Sequence, residues 1–220
     1  MKIFLDTPDL SAVEEWLPHG IIDGVTTNPT LLKKSRIEDW TSAVGALARR
    51  IGPRDLSVQV SGGCHDEMVE QARTLAARAE NIVIKVPVIS PEGRPNLDVM
   101  TTLGSSGIPV NATACLSTGQ ALAAAKAGAR YASLLWGRVG DEGGSPECLV
   151  TDIAALLRRH HFPTQLLIGS IRAPADITRA LNAGADVVTV PPPMLARWLD
   201  HRYSRATVRE FQLDAGVKDE

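Results

Sequence analysis

The chain has 220 residues, enough for one well-buried core and near the lower end of the range for a single α/β barrel. Its formal net charge of -2 gives no electrostatic reason to expect nucleic acid or an anionic membrane as a partner. No apolar run is long enough to cross a bilayer, and the first ten residues, with an early Asp6, do not predict a signal peptide. Cys64, Cys115 and Cys148 have neither metal nor disulfide spacing, so we expect a metal-free protein of the reducing cytoplasm.

Short β-like runs alternate along the chain with longer segments of helical periodicity. Segments such as 66–80 and 118–129 place apolar residues at i, i+3, i+4 and i+7, which is the pattern of an amphipathic helix. Strict alternation of strands and helices is typical of a parallel sheet covered by helices. The predicted strands are 2–6, 24–28, 56–60, 82–88, 108–113, 131–135, 164–170 and 186–190.

Eight strands in this length leave about 27 residues for each strand–helix unit, close to what a closed barrel requires. We therefore predict an α/β fold, a single (β/α)8 TIM barrel over 1–220 with a helical tail from about Ser204. Ala-Gly-Ala occurs twice between a helix and a strand, and Gly128 and Gly184 are expected to end their helices in the left-handed conformation. A doubly wound open sheet is the alternative, although no Gly-rich dinucleotide loop follows the first strand.

The stretch 137–144 is rich in glycine and is predicted to be a loop between the sixth strand and the next helix. Ser145 and Pro146 follow it as an N-cap and a proline in the first helical position.

Lys85 interrupts an otherwise apolar run, 82–88, of the kind that forms strands buried on both faces. Burial disfavours the charged ammonium group, so a lysine in this environment is expected to hold a neutral amine. A neutral, well-positioned amine can attack a ketone carbonyl and form a Schiff base. The alternative is structural: Lys85 reaches solvent from the strand end or pairs with an acid.

Polar residues also end the first two predicted strands. Asp6 would point into the face on which barrel enzymes react, where it could bond to Lys85 or to a substrate hydroxyl. Capping of the following helix is the alternative role for Asp6. Thr27 and Asn28 precede Pro29, which favours an extended backbone and leaves the Asn28 amide able to bind a sugar hydroxyl. An ordinary Asn-Pro turn is the alternative there.

Asn111 and Thr113 are two residues apart on the fifth predicted strand, so both side chains face the same side. Polar groups in a barrel interior need partners, which indicates an active site or a buried network. The intervening Ala112 and the following Ala114 are expected to pack outward against helices.

Four more polar residues fall at or just after two late strands: Ser133, Arg138, Ser170 and Arg172. Two guanidinium groups with a hydroxyl match the chemistry of a phosphate clamp. The usual phosphate site of a barrel follows strands seven and eight, whereas these residues follow strands six and seven. Surface arginines without a ligand are the alternative.

Together these residues resemble the small-subunit branch of the transaldolase family, which includes transaldolases and fructose-6-phosphate aldolases. The resemblance extends from Met1 to about Phe211. It is carried by FLDT (4–7), GVTTNPT (24–30), IVIKVPV (82–88), VNAT (110–113), Gly137-Arg138 after Ser133, and GSIR (169–172).

The resemblance implies an enzyme without metal or cofactor that moves a three-carbon dihydroxyacetone unit from a sugar-phosphate donor to an aldehyde acceptor. It implies Lys85 as the Schiff-base nucleophile and homo-oligomers, decamers or pentamers, in which the C-terminal helix reaches a neighbour. The other roles that it implies are catalysis and positioning for Asp6, Thr113 and Gln59, substrate contact for Thr27, Asn28, Asn111 and Ser133, and phosphate binding for Arg138, Ser170 and Arg172.

Two positions depart from the family pattern. Gln59 stands where transaldolases carry a glutamate, and the aldolase branch, which has glutamine there, adds a tyrosine where this chain has Leu135. Glutamine cannot titrate near neutral pH and can only orient a water. Either Asp6, or a water held by Thr113 and Gln59, must therefore take the proton.

Leu135, Trp136 and the glycine at Gly140 are expected to change the rim of the pocket, which favours a specialised sugar substrate. Without the tyrosine, the three-carbon enamine formed on the Schiff-base lysine lacks a proton donor. Transfer of the three-carbon unit to an aldehyde is therefore favoured over release of dihydroxyacetone. A fructose-6-phosphate aldolase-type lyase, supported by Gln59, is the alternative. A further alternative is a catalytically silent sugar-phosphate binder that uses Lys85 structurally.

Overall fold

The computed structural model describes residues 1–35, 37 and 39–217. Eight parallel strands follow one another around a closed barrel, and the last pairs with the first. The strands are Lys2–Asp6 (β1), Gly24–Thr26 (β2), Asp55–Gln59 (β3), Ile82–Pro87 (β4), Val110–Cys115 (β5), Tyr131–Leu135 (β6), Gln165–Gly169 (β7) and Val187–Val190 (β8).

Helices connect the strands and cover the outside of the barrel. They are Leu10–Trp16 (α1), Pro29–Lys34 (α2), Trp40–Ile51 (α3), His65–Ala76 (α4), Leu97–Ser105 (α5), Thr118–Lys126 (α6), Trp136–Asp141 (α7), Pro146–Arg159 (α8), Pro174–Asn182 (α9), Pro192–Leu199 (α10) and Arg202–Asp214 (α11), with a 3-10 turn at Leu17–His19. Among the described residues, no helix is both long and apolar enough to span a bilayer.

The closed strand order confirms the predicted (β/α)8 barrel and overturns the doubly wound alternative. Gly128 and Gly184 have φ values of 83° and 109°, so both end their helices in the left-handed region, as the repeated Ala-Gly-Ala predicts. Ser145 accepts a backbone bond from Cys148, which confirms the predicted start of α8.

Apolar side chains pack in two places, between the strands and the helices and inside the barrel. Outward-facing strand residues pack against the helices in the main core. A second, smaller cluster fills the middle of the barrel, where the rings of Phe4 and Tyr131 meet edge to face at 5.8 Å. Its other members are Val83, Leu167 and Val187. This interior plug closes the barrel below its carboxyl end, so any cavity there has an apolar floor.

The predicted loop at 137–144 is wrong over its first half, because Trp136–Asp141 forms the short helix α7. Two glycines disfavour a helix on propensity alone, but burial of Trp136 and Val139 outweighs that preference. Trp136 is only 3% exposed and lies in the core, so it does not alter the pocket rim as predicted. The C-terminal helix begins at Arg202, close to the expected start, and has no buried residue.

Candidate active site

A cavity of about 520 Å³ opens at the carboxyl ends of the strands, above the interior plug. Side chains alternate between the two faces of a strand, so the cavity receives every second residue. It is lined by Asp6, Thr26, Asn28, Pro29, Thr30, Leu31, Gln59, Lys85, Pro87, Thr113, Ala114, Ser133, Leu135, Arg138, Leu167, Gly169, Ser170 and Thr189. The carboxyl end is where barrel enzymes build their active sites.

Lys85 lies on β4 beside Gln59 of β3 and Asn111 of β5. It is 8% exposed, and its Nζ donates to the carbonyl oxygen of Thr27 at 3.0 Å. Burial lowers the pKa of Lys85 below its ordinary value, and the nearby Asp6 carboxylate offsets only part of that effect. The amine therefore neither reaches bulk solvent nor bonds directly to an acid, and its environment favours the neutral, nucleophilic form.

Asp6 ends β1 and faces the same cavity. Its Oδ1 accepts a 2.7 Å bond from the Thr26 hydroxyl, and Thr26 Oγ1 lies 2.6 Å from Thr189 Oγ1. Burial raises the pKa of the Asp6 carboxyl group, against the opposing effects of Lys85 and Thr26. The alternative role of Asp6 as a helix cap is filled by Asp9, which accepts the bond from the Ser11 backbone at 2.9 Å.

A buried chain of side-chain bonds lies behind Lys85. The Asn111 amide nitrogen donates to Ser57 Oγ at 3.1 Å, and its oxygen accepts a 2.6 Å bond from the Ser133 hydroxyl. Asn111 is fully buried and does not line the cavity, whereas Ser133 does. In the described structure Asn111 therefore acts on the cavity through Ser133 rather than facing it.

The fifth strand departs from regular geometry where it enters the cavity. Ala112 pairs with Ala132 but Cys115 pairs with Leu134, so β5 contains one extra residue. Ala114 takes up the irregularity with a φ of 60°, and it lines the cavity next to Thr113. The prediction that Ala114 packs outward is wrong, because the bulge interrupts the alternation on which it rested. Ala112 packs in the outer core, as predicted.

Thr27 and Asn28 have different surroundings. Asn28 caps α2, accepting the Leu31 backbone bond at 2.9 Å, and also lines the cavity, so a helix start takes the place of the ordinary Asn-Pro turn offered as the alternative. Thr27 is fully buried, and its hydroxyl donates to the Ser57 carbonyl at 3.1 Å. The side chain of Thr27 does not line the cavity; its carbonyl oxygen instead holds Lys85.

The predicted phosphate clamp is only partly assembled. Arg138 from α7 and Ser170 after β7 both line the cavity. The Gly137 backbone donates to the Ser170 carbonyl at 3.1 Å, which ties the two segments together. Arg172 does not line the cavity, because both of its terminal nitrogens bond to the carboxylate of Asp141.

Sequence reasoning missed Thr26, Ser57, Thr189 and Asp141. The first three lie at every-second-residue spacing on their strands, so continuing that alternation around the barrel would have found them. No comparable signal exists for Asp141, which ends α7 and whose partner comes from the loop after β7. The described residues contain no group of three or more His, Cys, Asp or Glu side chains placed to hold a metal ion.

Comparisons with known proteins agree with this geometry. Residues 3–219 match the family described as Transaldolase/Fructose-6-phosphate aldolase. The chain is 36% identical over 214 residues to a probable transaldolase of Dehalococcoides mccartyi, covering 97% of each chain. It is 37% identical over 215 residues to a probable transaldolase of Kosmotoga olearia, covering 97% of this chain and 95% of the relative.

Solved structures extend the likeness to the fold alone. One titled "Native KDPGal structure" covers 86% of this chain and 80% of its own at a TM-score of 0.59 and 17% identity. A protein cage designed by fusing symmetric oligomeric domains covers 97% of this chain and 76% of its own, at a TM-score of 0.63 and 16% identity. With the near-complete family match and the relatives above 30% identity, the chain belongs to the transaldolase/fructose-6-phosphate aldolase family.

Proposed function

We propose that this protein is a transaldolase that moves a dihydroxyacetone unit from a ketose phosphate to an aldose acceptor through a Schiff base on Lys85. The observation that carries the proposal is the buried amine of Lys85, bonded to the Thr27 carbonyl at the bottom of an open polar cavity. Burial lowers the pKa of Lys85, which favours the neutral amine whose free electron pair can attack a ketone.

The reaction requires proton transfers at each step. The amine adds to the C2 carbonyl, the carbinol oxygen takes up one proton, and water leaves, giving an iminium ion. Loss of the C4 hydroxyl proton breaks the C3–C4 bond, so the aldose phosphate leaves and the electron pair stays on the three-carbon enamine. Addition of the enamine to an acceptor aldehyde and hydrolysis of the resulting imine return Lys85 to its starting form.

Asp6 is the group best suited to accept and return the C4 hydroxyl proton. Its carboxylate faces the cavity, and burial moves its pKa upward, toward the range in which a carboxyl group exchanges protons near neutral pH. Gln59, beside Lys85, can orient a water together with Thr113 but cannot carry a proton itself. Ser133 and Asn28 also line the cavity, and we assign to them the bonds to the sugar hydroxyls.

The Leu135 side chain favours transfer of the three-carbon unit to an acceptor over its release. Leu135 lines the cavity at the position where the aldolase branch of the resemblance carries a tyrosine. A hydrocarbon side chain cannot protonate the enamine carbon, so the three-carbon unit is retained until an acceptor aldehyde arrives. Gln59 supports the alternative, a lyase that releases free dihydroxyacetone.

The two reactions are separated by following fructose 6-phosphate with and without an aldose phosphate acceptor. A transaldolase cleaves at most one donor per site without the acceptor and turns over only when the acceptor is present, whereas a lyase turns over the donor alone. Sustained cleavage without acceptor would overturn the transfer reaction and leave the lyase. Phosphosugar binding that survives Lys85→Ala, with no turnover in the parent, would overturn both.

The C-terminal helix supports an oligomer. Residues along α11 and just after it leave large apolar side chains exposed: Tyr203, Val208, Phe211, Leu213 and Val217. Exposed apolar residues on one helix are typical of a face that packs against another chain. We expect light scattering to report an oligomer, and truncation after Asp200 to lower the number of chains in it; an unchanged number of chains would show that α11 is not part of the interface.

A further inference from the structure

We propose that Asp141 is a specificity-determining residue that keeps Arg172 out of the cavity. The phosphate of a bound sugar then meets one unpaired guanidinium, that of Arg138, so the site prefers phosphorylated over unphosphorylated sugars only weakly. The inference rests on the proposed function and names its substrate class, because a clamp of two arginines would instead select strongly for sugar phosphates.

The pairing of Arg172 is geometrically specific. Its two terminal nitrogens each donate to a different oxygen of Asp141, the last residue of α7. Gly137 makes room for this path, since a Cβ there would lie 2.7 Å from the Ser170 carbonyl oxygen and would also meet the Arg172 side chain. Arg172 therefore lies across the first turn of α7, while Ser170, two residues earlier, faces the cavity.

The neighbouring cation, Arg179, is also paired with acidic residues. Arg179 bonds to both Glu147 and Asp176, and Asp176 also accepts from the backbone nitrogen of Arg172. Within the part of the chain that the structure describes, Arg138 forms no ion pair, and it lines the cavity. The hydrogen bonds from Arg172 hold the pKa of Asp141 below its ordinary value, so the competing carboxylate stays charged at neutral pH.

The expected change in the use of sugar phosphates follows from the solvent exposure of the Arg172–Asp141 pair. The side chains of Arg172 and Asp141 are 53% and 44% exposed, and pairs this open to water are weak. A dianionic phosphate competes with such a pair but does not eliminate it. Removing Asp141 should therefore improve use of a phosphorylated sugar about fivefold, the equivalent of an exposed pair at the upper end of its usual strength.

The test compares kcat/KM for fructose 6-phosphate with that for fructose, in the parent and in variants. Asp141→Asn should raise the ratio about fivefold. Glu142→Gln, which removes the next exposed carboxylate along the chain, should leave the ratio unchanged. In an Arg172→Met background, Asp141→Asn should no longer raise it.

Two kinetic results would overturn the inference: an unchanged ratio in Asp141→Asn, or an equal rise with and without Arg172. The second would mean that Asp141 simply repels phosphate. If the parent traps no ketose on Lys85, the proposed function fails, and calorimetry with inorganic phosphate replaces the kinetics. In that experiment, Asp141→Asn must tighten the binding of phosphate, and only when Arg172 is present. Tighter binding without Arg172, no tightening at all, or no phosphate binding in any variant would overturn the inference.

Discussion

The two ends of the barrel both place charged side chains near its axis, but they treat them differently. At the amino end, Asp55 accepts two bonds from Arg130, at 3.0 and 3.1 Å, and a 2.6 Å bond from the Tyr131 hydroxyl. At the carboxyl end, Lys85 bonds to a neutral carbonyl and Asp6 to a hydroxyl, although the two charges influence each other. One end pairs its charges directly and the other keeps them apart around a cavity.

This difference in charge pairing indicates separate roles for the two ends of the barrel. Direct pairing satisfies both partners and fixes one arrangement, which stabilises the fold. Separated groups retain the pKa shifts that burial produces, because neither is fully compensated by an opposite charge. Shifted pKa values in a cleft are typical of catalytic groups, whereas the amino end of a barrel usually serves stability.

The largest expected effect comes from Lys85. Lys85→Arg should lower turnover by at least about 10⁴-fold, since a guanidinium stays protonated and cannot form an imine. Steady-state assays on the purified variant measure this, with circular dichroism to verify folding. Residual turnover within tenfold of the parent would place the chemistry elsewhere.

Lys85 should also tie stability to pH. Because its pKa is lowered in the folded chain, the unfolded chain binds more protons between that lowered value and the ordinary lysine value of about 10.4. The free energy of unfolding therefore rises with pH across that window. Below the window, the full cost of burying the charged ammonium group of Lys85 is present. Urea unfolding of Lys85→Met at several pH values should show a flatter dependence than the parent; an identical slope would mean that Lys85 is not desolvated.

Asp6→Asn should lower turnover by about 100-fold, the usual contribution of a positioned acid or base. Asparagine preserves the shape and the bond from Thr26 but cannot carry a proton. Turnover at saturating donor and acceptor measures the loss. A loss smaller than about threefold would transfer the proton role to a water beside Gln59 and Thr113.

Thr189→Val should have a smaller effect, a loss of about fivefold, with recovery in Thr189→Ser. While Asp6 is a carboxylate, the single Thr26 proton goes to Asp6, so Thr189 must donate to Thr26. Removing that donor weakens the bond to Asp6 and should move the acid side of the pH–rate profile upward. An unshifted profile would mean that Thr189 only fills space.

Asp55→Asn should have the smallest effect on turnover and a clear effect on stability. It weakens the bonds to Arg130 and Tyr131, and the expected loss is about 2 kcal/mol of unfolding free energy. Urea unfolding and turnover of the same preparation separate the two effects. Loss of turnover in a folded variant would contradict the division between the ends.

The sequence predicts the barrel and much of the site for simple reasons. Lys85 stands out because a charged residue rarely interrupts a doubly buried strand, and every-second-residue alternation brings Thr113, Ser133 and Gln59 to the same face. The strand bounds are predicted within about two residues, the usual uncertainty of element ends.

What sequence could not supply depends on geometry between elements. The bulge at Ala114 depends on the register of β5 against β6, which leaves no local signature in an Asn-Ala-Thr-Ala-Cys run. Helix α7 forms because Trp136 finds a buried site, against the propensity of its glycines. The pairing of Arg172 with Asp141 joins the loop after β7 to the end of α7, so composition alone could not distinguish it from a phosphate clamp.

The most direct test of the central claim is borohydride reduction in the presence of fructose 6-phosphate, read by intact-protein and peptide mass spectrometry. We predict one reduced dihydroxyacetone adduct per chain, on the peptide that contains Lys85, and none in Lys85→Met. A folded parent that forms no adduct with any ketose phosphate, or an adduct on another lysine, would contradict Lys85 as the Schiff-base nucleophile.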